Sequence, residues 1–261
     1  MVARRRGSRM VTWMVVLLVF AVVAPLAVNA LAGAGNSPLP WHQASMEPTG
    51  LAPVPGREPR AVVQVYAAPA FAWRGIFAAH TWIVTKRAGA SAYTRYDVVG
   101  WGGGDTVKVN WAAPDAQWYG KRPVVILDRR GPEAEALIDA VEAAVADYPW
   151  RHTYRTWPGP NSNTFTAFVA RRVPELRLDL PANAIGKDFV PVSGLVGAAP
   201  SGTGLQVSLL GLLGVTLAAE EGVEVNLLGL SLGIDPLDPA LRLPGVGRLG
   251  PPRQAVGGDS P

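Results

Sequence analysis

The stretch Trp157-Pro158-Gly159-Pro160-Asn161-Ser162-Asn163-Thr164-Phe165 constrains the fold most tightly, because two prolines hold the chain out of helical geometry and three capping residues then start a helix. Beyond it, Phe165, Phe168, Val169, Val173 and Leu176 recur at helical spacing, while Thr166, Arg171 and Arg172 mostly occupy the other face. The pattern predicts a helix over 162–176 docked on a core. Ser162 then sits in its first turn, where free N–H groups and the positive end of the helix dipole favour a developing oxyanion. The same residue types also serve as a plain N-cap with no chemistry.

A second helix is predicted over 133–148. Gly131-Pro132-Glu133 opens it, and Leu137, Ile138, Val141, Ala144, Val145 and Tyr148 form its buried stripe. Three strands precede it: Ala61 to Tyr66, Ala79 to Lys86, and Tyr93 to Trp101. The last leads into the Gly102-Gly103-Gly104-Asp105 turn, from which Val107 to Trp111 pairs back. Residues 205–211 (Leu-Gln-Val-Ser-Leu-Leu-Gly) are echoed by residues 223–229 (Val-Glu-Val-Asn-Leu-Leu-Gly). Their alternation predicts an antiparallel hairpin over 205–234, its apolar runs either packed in the core or touching a bilayer. Residues 235–261, rich in Pro and Gly, read as a poorly ordered tail.

At 261 residues and 49% hydrophobic, the chain can build one sizeable core, assigned to residues 61–234. Four of its 24 Lys and Arg residues, Arg4, Arg5, Arg6 and Arg9, precede the first apolar run, which leaves 20 basic against 20 acidic residues. A neutral body gives no electrostatic case for nucleic acid. Those arginines and the uncharged stretch from Met10 to about Gly35 make residues 1–35 a membrane anchor or a signal segment, the N-terminus cytoplasmic and the body outside. Val28-Asn29-Ala30 offers small residues for cleavage. Counted to Ala32, the run nevertheless reaches the ~20 residues that span a bilayer, which favours an uncleaved transmembrane helix. Six prolines within residues 36–60 predict an extended tether, with His42 in solvent. With no cysteine, the chain has no disulfide and no thiolate zinc site; its three scattered histidines form no metal motif, and no cofactor is expected.

Serine needs a base to become a nucleophile. His80 lies on a strand that can aim it at Ser162; His152 is the second candidate, and Asp97 on the next strand is placed to orient the imidazole. On its strand His80 shares a face with Trp82 and Val84, while Thr81, Ile83 and Thr85 share the other, and Tyr96 points away from Asp97. Lys187 is an alternative base for a Ser-Lys pair; the plainer reading is an exposed ion pair with Asp188. Backbone N–H groups at Ser162 and Asn163, next to the capping Asn161, would form the oxyanion site. Seven tryptophans in the central region suit a groove for a glycan or peptide, with Trp82, Trp157 and Lys187 as candidate lining, or serve as packing.

His80-Thr81-Trp82, Asp97-Val98-Val99-Gly100-Trp101, Trp118-Tyr119-Gly120, Tyr148-Pro149-Trp150 and the 157–165 stretch together resemble a bacterial family known as domain of unknown function 3750. The resemblance spans roughly residues 60–248, including Ala184-Ile185-Gly186-Lys187-Asp188, and implies a protein of the bacterial envelope. A strand histidine ahead of an Asn-X-Asn-X-Phe helix start is also similar to circularly permuted papain-like hydrolases, with Ser162 where those proteins carry cysteine. The expected fold is therefore α+β, permuted papain-like, an antiparallel sheet packed on two main helices behind an N-terminal transmembrane helix. The expected location is the cytoplasmic membrane, body in the periplasm. Two functions stand: an acyl hydrolase or transferase using Ser162, His80 and Asp97, or a catalytically inactive binding or structural module of the envelope.

Overall fold

A computed structural model describes residues 2–190 and 194–251. The N-terminal run forms helix α1 (Val2–Leu31). Its C-terminal end is tied to the body, since Asn29 donates to the Ile76 carbonyl (2.7 Å) and Lys121 to the Gly33 carbonyl (3.2 Å). Among the described residues no helix is long and apolar enough to cross a membrane. The transmembrane character expected of α1 thus draws no support from the fold.

Residues 45–52 do not stand away from the body as an extended tether should. The Asp115 carboxylate accepts from the backbone N–H groups of Leu51 (2.6 Å) and Ala52 (3.2 Å) and from the Thr49 hydroxyl (3.2 Å), so one buried acid collects three donors. Gln117 donates to the Glu47 carbonyl, Gly120 to that of Ser45, and Met46 and Leu51 pack on buried aromatics.

The central sheet has the order β4-β3-β2-β1-β5 and is antiparallel throughout. β1 (Val62–Pro69), β2 (Ala79–Lys86), β3 (Thr94–Val98) and β4 (Val107–Val109) occupy the four predicted places. β5 (Val124–Arg130) falls where the sequence reading placed no element. α2 (Pro132–Ala146) and α3 (Ser162–Arg172) cover one face, burying Ile138, Val141, Phe165 and Val169 against Val63, Val65 and Ile83. The opposite face carries a second cluster of Tyr66, Trp82, Val84 and Trp118. α3 stops at Arg172 because Pro174 follows, and Pro174–Leu176 continues only as a 3₁₀ turn.

A second antiparallel sheet runs in sequence order: β6 (Val196–Ala198), β7 (Gly204–Leu209), β8 (Leu213–Ala218), β9 (Gly222–Leu227), β10 (Leu230–Asp235), β11 (Ala240–Leu243) and β12 (Gly247–Leu249). This corrects the hairpin. The echoed segments are β7 and β9, which never pair with each other, because each runs into its own Leu-Gly turn. Leu210-Gly211 and Leu228-Gly229 both take positive φ at the two central residues, as a type I′ turn requires, and each turn sends the chain into a new strand. β11 and β12 extend the sheet past Asp235, where a poorly ordered tail was expected; residues 252–261 of that tail lie outside the described residues. The expectation of core burial for the apolar runs is also corrected: Leu205, Leu213 and Leu217 are 65%, 55% and 57% exposed, while Ser208, Glu224 and Asn226 are buried.

Asp115→Ala leaves the backbone N–H groups of Leu51 and Ala52 without their acceptor, while the Thr49 hydroxyl keeps the backbone carbonyl of residue 115. It should lower stability by about 1–3 kcal/mol in urea denaturation and open the 41–55 segment to limited proteolysis; unchanged stability and cleavage would contradict this docking.

Candidate functional site

The site grows from the start of α3. Asn161 is the N-cap: its side-chain oxygen accepts from the backbone N–H groups of Asn163 (3.0 Å) and Thr164 (3.1 Å), and the Asn161 N–H donates back to the Thr164 hydroxyl. This reciprocal capping box is closed from outside. The amides of Asn161 and Asn163 both donate to the Ile185 carbonyl (3.0 and 2.8 Å), and the Thr164 hydroxyl donates to that of Gly186 (2.9 Å). Gly186 has φ +100°, and a Cβ there would lie 2.5 Å from Asn161 Oδ1. Asn163 also donates to the Ala79 carbonyl and accepts from the Thr81 hydroxyl, so α3 is fastened to β2 on both sides of His80.

His80 points to the opposite face from Thr81, against the ring of Trp118 (centroids 3.4 Å apart, 9° between planes). Its Nε2 lies 2.8 Å from Asp97 Oδ1. The other carboxylate oxygen accepts from Arg95 (2.7 Å) and the Trp111 indole (3.1 Å), and the Arg95 guanidinium stacks over Trp82 at 4.2 Å. Burial alone would push the Asp97 carboxyl up, but His80 and Arg95 outweigh it and hold it below the usual range. Burial pushes the His80 imidazole down, and the opposing pull of Asp97 does not restore it. An ionised carboxylate only accepts, so Nε2 carries the proton of the neutral ring and Nδ1 keeps the lone pair.

His80 and Ser162 line one cleft of about 940 Å³. Ser162 Oγ and His80 share no hydrogen bond, though bonded neighbours place their elements side by side. Within the first turn of α3 the Asn163 N–H is taken by the Asn161 cap, which removes it from the expected oxyanion pair. The Ser162 N–H has no partner among the described residues. Trp157 lines the cleft as expected, and its indole donates to the Leu228 carbonyl (2.9 Å). Trp82 does not line it: it is buried beneath, donating to the Pro114 carbonyl. His152 is exposed and lies outside the lining.

Lys187 departs furthest from its reading as an exposed ion pair or a groove base. It is fully buried, 2.5 Å from Glu224 and 3.6 Å from Asp188, and those acids raise its affinity for a proton although burial opposes it. Trp41, Trp73, Trp101, Trp118 and Tyr154 complete the aromatic wall. The sequence showed the aromatics but not Trp41 among them, since it belongs to the segment read as a tether. Among the described residues no three His, Cys, Asp or Glu side chains come together to hold a metal.

A family model described as protein of unknown function (DUF3750) matches residues 60–189, a segment that contains β1 to β5, α2, α3, His80, Asp97 and Ser162. No curated protein and no solved structure matches the chain.

Asp97→Ala strands the buried Arg95 charge and should cost about 3–5 kcal/mol in chemical denaturation. Gly186→Ala, by forcing a Cβ into Asn161 at an unfavourable φ, should cost about 1–3 kcal/mol. A wild-type unfolding midpoint for either variant would contradict the packing described.

Proposed function

We propose, for a chain whose residues 60–189 belong to the DUF3750 family, that the cleft performs serine-dependent acyl transfer as a hydrolase or transferase of the bacterial envelope. The observation that carries this reading is that His80, hydrogen-bonded to the buried Asp97, lines the same cleft as Ser162 at a helix start. The Ser162 proton passes to His80 Nδ1 as Oγ bonds the substrate carbonyl carbon. Asp97 keeps the ring in the required tautomer and supports the imidazolium. The tetrahedral oxyanion is met by the Ser162 N–H and the helix dipole. Collapse breaks the bond to the leaving group, which takes the proton from His80; water or a second acceptor then releases the acyl group by the same steps reversed. The hydrogen bond from Ser162 to His80 is made when substrate closes the site, as catalytic contacts often tighten only in the complex.

The chain order, histidine strand before nucleophile helix, supports a permuted papain-like arrangement with serine in place of cysteine. Four arginines ahead of an uncharged run support an anchor with a cytoplasmic N-terminus and a periplasmic body. Trp41, Trp73, Trp101 and Trp157, each 45% exposed or more, supply flat apolar faces suited to the sugar rings or peptide side chains of an envelope polymer. The missing Ser162–His80 bond favours one second reading, an inactive module that binds such a polymer.

A fluorophosphonate probe separates the two. Labelling should map to Ser162 and vanish in Ser162→Ala and His80→Gln, each verified as folded by circular dichroism. A folded wild-type protein that stays unlabelled while binding envelope glycan would establish the inactive module instead. The pH profile tests the base: an imidazolium cannot accept the serine proton, and burial disfavours it. Labelling should therefore hold from pH 8 down to about 6.5 and decline only below the ordinary histidine value; a decline beginning above that value would refute the assignment of His80.

A further inference from the structure

The second sheet is amphipathic in the reverse of the usual sense. Residues paired across its strands form rows, and on the outward side one row reads Leu205, Leu217, Val223, Ile234 and Leu241. A parallel row reads Val207, Val215, Val225 and Leu232, and a third Leu209, Leu213, Leu227 and Leu230. Every side chain of these rows is aliphatic, and most are strongly exposed. Behind them, Glu224 is held by Lys187 and Arg242, and Asp188 by Asn226, so the polar side faces the body and is paired there.

With exposed Val196 on β6 and Leu249 on β12, which continue the second and the first row, six inter-strand spacings give the face a width of roughly 29 Å and six residues a depth of ~20 Å, at the upper end of what a monomer in water leaves uncovered in one patch. We infer that this face is a membrane-docking surface, its occupant the acyl chains of a bilayer. Protein interfaces carry aromatic and arginine anchors and regular hydrogen bonds, whereas these rows contain no side-chain donor or acceptor. Lipid requires only that backbone groups be paired, which the meander provides between its short edge strands β6 and β12. Strands of at most six residues cannot span a bilayer, which needs ~9–11, so the face rests in the boundary of one leaflet. α1 adjoins it. The turn between β11 and β12 packs at the end of that helix, where a Cβ on Gly245 would meet Leu26 and Asn29, and α1 itself exposes Val16, Leu17, Val19 and Phe20.

The placement beside α1 rests on the anchor proposed above, so the test reads the two separately. The chain has no cysteine, and single cysteines can be introduced into the full-length protein at Val215, Leu241, Leu17 and, as a solvent control on α2, Ala140. Each is labelled with nitrobenzoxadiazole and reconstituted in phosphatidylcholine–phosphatidylglycerol vesicles with or without bromine on the acyl chains; circular dichroism confirms the native fold. The expected result is loss of most fluorescence to brominated lipid at 215 and 241, with none at 140. Quenching at 17 but not at 215 or 241 overturns the docking face and leaves the anchor standing. Blue-shifted emission at 215 that brominated lipid does not quench means that protein, including a second copy, covers the face, and also overturns it. Quenching at none of the four sites overturns both.

Discussion

The Ile185 carbonyl, accepting from the amides of Asn161 and Asn163, is the contact on which the rest of the architecture rests. A buried carbonyl with two charge-neutral donors is fully satisfied, and it fixes the start of α3 relative to a segment that is neither helix nor strand. That segment continues at once into Lys187 and Asp188, which bind Glu224 and Asn226 of the second sheet. One short run of chain thus joins α3, through it β2, and the meander beyond. Gly186 is the only residue type that fits between them, since any Cβ would occupy the space of the Asn161 carboxamide.

Near this fixed point the buried charges are paired behind the cleft. Asp97 divides its two oxygens, one for His80 and the other for Arg95 and Trp111. His80 and Arg95 keep the carboxylate ionised in a place where burial alone would neutralise it, and the carboxylate in turn fixes which imidazole nitrogen is free. Without the guanidinium burial would favour the neutral acid. Without the acid the imidazole would have no preferred tautomer.

Elements whose signals are local were legible in the sequence. α2 and α3 begin where proline, acidic and capping residues place them, and β1 to β4 follow the β-branched and aromatic runs. What escaped reading depends on distant partners. Val124 to Arg130 becomes a strand because β1 has an open edge, and residues 45–52 lie down because Asp115 presents an acceptor more than sixty positions away. Alternation in the echoed segments showed that their strands have one polar and one apolar side. It could not show which side faces the body, because that is decided by Lys187, Asp188 and Arg242 waiting there to pair with the polar one. At the site, the capping types at 161–163 were visible, but not that the cap consumes the Asn163 N–H.

The bond from the Trp157 indole to the Leu228 carbonyl ties the rim of the cleft to the tip of the β9–β10 turn. Rim and meander therefore share a mechanical joint. A change in the tilt of the meander must either drag Trp157 with it or rupture that bond, so the width of the cleft mouth is geared to the attitude of a sheet that contributes nothing to its lining.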